Sequence, residues 1–137
     1  MANVPSLVNV EDNYGLMKPF TEQEIVDVIW AMKSDKAPRP NGFSIHFYKV
    51  YWPIIKSNLV RMVTAFQIKA KVVACTNSTF LALMPNEVNP FSFDRFRPIL
   101  LCNASYKILA KLLANRFKLL PGKLISPLQG GFVKGET

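Results

Sequence analysis

Apolar residues recur along this chain with two different periods, and the change of period divides it into elements. Ile25, Val28, Ile29 and Met32 stand at i, i+3, i+4 and i+7, the spacing of a helix with one buried face. Thr21 precedes them as an N-cap, Glu24 completes a capping box, and Phe20 is placed to staple the entry. The run stops at Ser34-Asp35-Lys36-Ala37-Pro38-Arg39-Pro40-Asn41-Gly42, where two prolines and a glycine predict a stiff loop. A second helical region begins near Ser44 and breaks at Trp52-Pro53. It resumes with Pro53 in its first turn and Ile55, Leu59, Val63 and Phe66 on one face.

The period then shortens. Residues 78–84 (Ser-Thr-Phe-Leu-Ala-Leu-Met) form a short apolar run between Asn77 and Pro85, which predicts a buried strand. A loop over 85–96 leads to a second short run from Arg97 to Leu101, so the two make a hairpin with a basic, mobile tip. A helix follows from about Ala104 to Leu120, ended by Pro121-Gly122. At 100° per residue Lys107, Lys111 and Lys118 share a stripe about 40° wide, opposite Ile108, Leu109, Leu112, Leu113, Phe117 and Leu120. Arg116 falls on the apolar side, where it must either snorkel out or meet a specific partner. Residues 1–19 show no periodicity and read as an irregular leader, and residues 125–137 are glycine-rich with no closing cap. The expected fold is α+β and mostly helical: three or four helices with a two-stranded antiparallel hairpin.

Charge sharpens this picture. The 137 residues carry a net charge of +8, enough length for one domain with one core. Residues 1–70 hold eight Lys/Arg against six Asp/Glu, whereas residues 71–137 hold nine against three. Such a one-sided excess points to a polyanionic partner, nucleic acid first; the plain alternative is a solvated basic face. Cys75, Cys102 and His46 cannot make a zinc site of usual spacing, and the two isolated cysteines suit a reducing compartment. Neither a signal peptide nor a run of roughly 20 apolar residues is present, which predicts an intracellular protein, the nucleus included, with no membrane association.

Five blocks in order carry a resemblance. They are Lys36-Ala37-Pro38-Arg39-Pro40-Asn41-Gly42-Phe43; Asn77-Ser78-Thr79 with Leu83-Met84-Pro85; Phe96-Arg97-Pro98-Ile99 through Leu101-Cys102-Asn103; Tyr106-Lys107-Ile108 with Ala110-Lys111 and Ala114-Asn115-Arg116; and Gln129 with Gly131-Phe132-Val133. Together they resemble the reverse transcriptases of plant LINE-type (non-LTR) retrotransposons, over residues 20–135. The resemblance implies a partial fingers and palm-edge domain over 20–137, truncated at its C-terminus. It implies a hairpin closing over an incoming nucleotide, with Arg97, helped by Arg95, on the triphosphate. It also implies Lys107, Lys111 and Lys118 along a template, and Lys36, Pro38, Pro40 and Gly42 as the family's loop. RNA template and DNA primer are the implied partners, with deoxynucleotide bound only in the presence of the missing palm.

A guanidinium fork suits phosphate oxygens, although Arg97 could instead be a surface arginine paired with Asp94. The sequence departs from the family at Arg39, Asn41, Asn86, Arg95, Leu100 and Glu136. The larger departure is acidic. Two-metal nucleotidyl transfer needs clamping carboxylates, and none of the nine acids here sits in an aromatic-x-Asp-Asp turn. The expectation is therefore no catalytic residue, metal site or cofactor in this chain, with Mg²⁺ implied only for the full-length polymerase. Two alternatives stand beside the polymerase fragment: a non-catalytic basic RNA- or DNA-binding domain, and a partner-dependent structural remnant without a nucleic-acid role.

Overall fold

A computed structural model describes residues 8–34, 40–72 and 74–124. The elements run α1 (Val10–Met17), α2 (Glu22–Ala31), α3 (Ile45–Val50), α4 (Trp52–Lys69), β1 (Thr79–Pro85), β2 (Phe96–Cys102), α5 (Ala104–Phe117) and α6 (Pro121–Leu124), with short 3-10 turns before each strand. The mixed, mostly helical fold with one antiparallel hairpin agrees with the pattern of the sequence. Six helices are present among the described residues, where three or four were expected.

The core is helical. Ile25, Val28 and Ile29 of α2 meet Ile45 and Tyr48 of α3, Leu59 and Val63 of α4, and Ala104, Ile108, Leu109 and Leu112 of α5. Ile55 and Phe66 pack against the margin of this cluster, so the α4 stripe faces the core as its spacing requires. The α2 start is built as predicted: the Thr21 hydroxyl accepts from Glu24 N–H at 3.1 Å, and the Glu24 carboxylate accepts from Thr21 N–H at 2.8 Å. Ser44 caps α3, accepting from Phe47 N–H. α4 opens with proline in its first turn and closes on Ala70 in the left-handed region, φ +50°.

Three expectations change. First, the leader is not irregular over 10–17. An Asn9–Asp12 capping box starts α1, yet none of its residues is buried, so no apolar period announced it. Polar clips hold it instead: Lys123 Nζ donates to the two Asp12 carboxylate oxygens at 2.7 and 2.8 Å, and Gln67 Nε2 donates to the Met17 and Lys18 carbonyls.

Second, β1 is not buried. Only Ala82 among its seven residues is even half-buried, because no further described layer packs on the two-stranded sheet. Third, Pro121 begins α6 rather than closing the previous helix, which ends at Phe117. Residues 125–137 and the loop positions 35–39, Lys36 and Pro38 among them, lie outside the described residues. No described helix is long and apolar enough to cross a membrane.

Candidate nucleic-acid interface

The hairpin register sets the arginines. Thr79 pairs with Cys102, Ala82 with Ile99, and Met84 with Arg97. Directly opposed residues share a face, so Arg97 projects on the side that carries Phe80, Ala82, Met84, Ile99 and Leu101. Its side chain is exposed, and among the described residues it enters no ion pair.

Arg95 differs. It lies in the 3-10 turn before β2, with Nη1 3.2 Å from Glu87 and Nε 3.4 Å from Asp94. The pairing with Asp94 considered for Arg97 thus belongs to Arg95. Two carboxylates beside it offset its charge, so the tip is not the basic one expected. The apolar side chains Val88, Phe91 and Phe93 protrude there, each at least 85% exposed.

β2 runs into α5 through Asn103. This residue stands at the N-cap, yet its side chain makes no cap bond. It is 1% exposed, accepts from Asn41 N–H at 3.2 Å, and donates from Nδ2 to the Thr76 carbonyl at 3.4 Å. One buried amide therefore ties together the Pro40-Asn41-Gly42 turn, the segment before β1, and the β2–α5 junction. Asn41 Oδ1 also accepts from Phe43 N–H, while Gly42 takes φ +73°, a conformation that penalises any side chain. Asn103 was legible only as part of a motif; nothing in its spacing disclosed this role. Below the junction, burial raises the Tyr48 hydroxyl above its usual pKa, and a hydrogen bond with Ser105 works in the opposite sense.

On α5, Lys107 and Lys111 are half-buried, and Lys118 is exposed at the C-cap. Lys107 makes contacts within the protein, whereas Lys111 and Lys118 enter no ion pair among the described residues. Of the three, only Lys118 is exposed.

Arg116 lies inward, 8% exposed. Nε and Nη2 grip the two Glu24 carboxylate oxygens at 3.2 and 3.1 Å. Nη1 donates to the Leu16 carbonyl at 3.0 Å and to that of Lys18; Nη2 also donates to Pro19 at 3.0 Å. The five N–H bonds of the guanidinium thus meet five acceptors, and its carbon lies 3.8 Å from the centre of the Phe20 ring. Burial alone would raise the Glu24 carboxyl, but hydrogen bonds from Arg116 and Thr21 outweigh it and hold the group below its usual pKa. This arginine is a specific clasp and is closed to phosphate.

A cleft of about 390 Å³ beside the clasp is lined by α1, α5 and α6. Of the charged side chains that line it, Asp12 pairs with Lys123 and Glu24 with Arg116, while Glu11 and Lys18 enter no ion pair among the described residues; none of the residues expected from sequence to bind phosphate lines it.

Among the described residues no three His, Cys, Asp or Glu side chains converge as metal ligands.

The arrangement is thus a helical body bearing a projecting hairpin and a partly basic helix. No protein-family model matches the chain. It is similar to the Transposon TX1 uncharacterized 149 kDa protein of Xenopus laevis, with 27% identity over 122 residues. That match takes in 89% of this chain but only 9% of the frog protein. The likeness is to a transposon protein and indicates a retrotransposon-related origin.

Proposed function

We propose that this chain is the fingers-side portion of a LINE-type RNA-directed DNA polymerase, contributing nucleotide and template contacts without the catalytic carboxylates. The observation that carries the reading is Arg97, an exposed guanidinium with no ion pair among the described residues, on a hairpin strand that leads into the lysine-bearing α5. Likeness to a transposon protein across most of the chain supports it, as do the motif blocks that Asn103 ties together. Arg97 meets a triphosphate; Lys111 and Lys118 follow a template backbone. The role of Arg95 is weaker, since Glu87 and Asp94 compete for it. RNA template, DNA primer and deoxynucleotide remain partners of the whole polymerase in this reading, with Mg²⁺ held by the palm.

The test joins the chain to a palm carrying the aspartates and compares single variants. Alone, the chain extends no primer. Joined, Arg97→Ala lowers kcat/KM for nucleotide by an equivalent of about 2–4 kcal/mol, the scale of a charge-assisted bidentate contact. Lys111→Ala or Lys118→Ala instead weakens template binding and reduces the salt slope by about one. Equal losses of template affinity for all three, with nucleotide KM unchanged, would defeat the assignment of Arg97. Failure of the palm to restore synthesis, with salt-sensitive binding intact, would leave a nucleic-acid-binding domain.

A further inference from the structure

One hydrogen bond reveals which backbone groups of the hairpin face outward. Asn86 N–H donates to the Arg95 carbonyl at 2.8 Å, one step beyond the Pro85–Phe96 pair. Bonded and non-bonded pairs alternate along an antiparallel ladder. Phe80–Leu101, Ala82–Ile99 and Met84–Arg97 therefore bond within the hairpin, whereas Thr79, Leu81, Leu83 and Pro85 turn their backbone groups away from it. On β2 the outward positions include Pro98. Both prolines fall on outward sites, where a missing N–H removes no internal bond, so the sequence agrees with this phase.

The two edges then differ. Pro98 interrupts the β2 edge near its middle, and Arg97 adds a charge to that strand. β1 carries no charge and no proline before its last residue, and no described strand pairs with its outer side. Natural edge strands are usually guarded by such residues. Phe80, Leu81, Leu83 and Met84 leave 45–61% of their surface exposed, so the unguarded edge is also apolar on both faces. Charge separates this region from the rest of the molecule. Residues 79–102 hold Arg95 and Arg97 against Glu87 and Asp94, a net charge of zero in a chain of +8. A second copy therefore meets little net repulsion here.

We propose that the outer edge of β1 pairs antiparallel with β1 of a second copy, about a two-fold axis at Leu81, forming a four-stranded sheet. A two-fold axis at Leu81 sets the two copies of Leu81 opposite each other and pairs Phe80 with Ala82 and Thr79 with Leu83 across the edge, so every facing pair is uncharged. The inference is independent of the polymerase reading, since Arg97 and the α5 lysines lie off this edge.

Sedimentation equilibrium of the full chain, from low micromolar to submillimolar in moderate salt, is expected to show a monomer–dimer equilibrium. Hydrogen exchange should find the Leu81 and Leu83 amides increasingly protected as concentration rises, with Phe80 and Ala82 protected throughout. Leu81→Pro removes an outward N–H and should weaken the dimer by at least about tenfold, roughly 1.4 kcal/mol. Leu81→Lys, which sets like charges facing each other across the two-fold axis, should do the same and decides the matter if the proline variant loses its hairpin. A monomer at every concentration, a dimer indifferent to Leu81→Lys, or open-ended growth into larger species would each overturn the proposal.

Discussion

Arg97 and Arg116 carry the same guanidinium into opposite surroundings. Arg97 stands on an exposed strand, while Arg116 reaches its acceptors from an inward helical position. Arg116→Ala should destabilise the fold by about 3–5 kcal/mol, because it strands a partly buried carboxylate and frees three carbonyls at once. Chemical denaturation reads this directly. Arg116→Lys should recover little, since an ammonium cannot reproduce the planar fork across Glu24 and the three carbonyls. A loss below about 1 kcal/mol would show that the clasp is energetically idle. The odd position of Arg116 was legible from its place among Ile108, Leu112 and Leu120, but its acceptors were not. Three of them are main-chain carbonyls of the segment before α2, distant in sequence.

At the scale of elements, what matters is how each one ends. α4 stops at Ala70, whose backbone takes φ +50° while its N–H bonds to the Phe66 carbonyl. A left-handed residue with a Cβ is strained, and glycine relieves that strain at some cost in unfolded-state entropy. Ala70→Gly should therefore raise stability by about 0.5–1 kcal/mol, visible as a higher denaturation midpoint at unchanged slope. A lower midpoint would mean that the Ala70 methyl packs usefully. The buried helices were readable because a one-sided apolar stripe has few other uses. α1 was not, since Asn9, Asp12 and the clips from Gln67 and Lys123 stabilise it without burying any of its residues.

For the whole molecule, charge and acidity set the behaviour. Lys123 lowers the pKa of Asp12 most, burial works against it, and the Asn9 backbone bond lowers it further. Glu24 is likewise held low. A carboxyl with a depressed folded-state pKa contributes stability above its unfolded value, and that contribution disappears as pH falls through the folded one. Stability should therefore be flat near neutrality and decline below roughly pH 4. Arg116→Ala should flatten the Glu24 part of that decline, whereas Lys123→Ala should flatten the part due to Asp12. Thermal midpoints measured between neutrality and acid check both. An equally steep decline in the two variants would mean that other groups govern acid unfolding.

By itself the sequence determined the helical core, the antiparallel hairpin and the uneven charge, because periodicity, proline placement and composition act locally. It also placed Arg97 on a strand and the lysines on one helical stripe. Tertiary structure alone decided which cations remain available. Arg95 meets Glu87 eight residues away, Arg116 meets Glu24 ninety-two residues away, and Asn103 reaches Asn41 across sixty-two. Whether a charge is spent inside the molecule or left outside depends on what the folded chain brings within about 4 Å, and no local period records that. The same reason separates strand from burial. A short apolar run between Asn77 and Pro85 specified β1 as a strand, but only the lack of a further described layer against it shows that its faces and outer edge stay open.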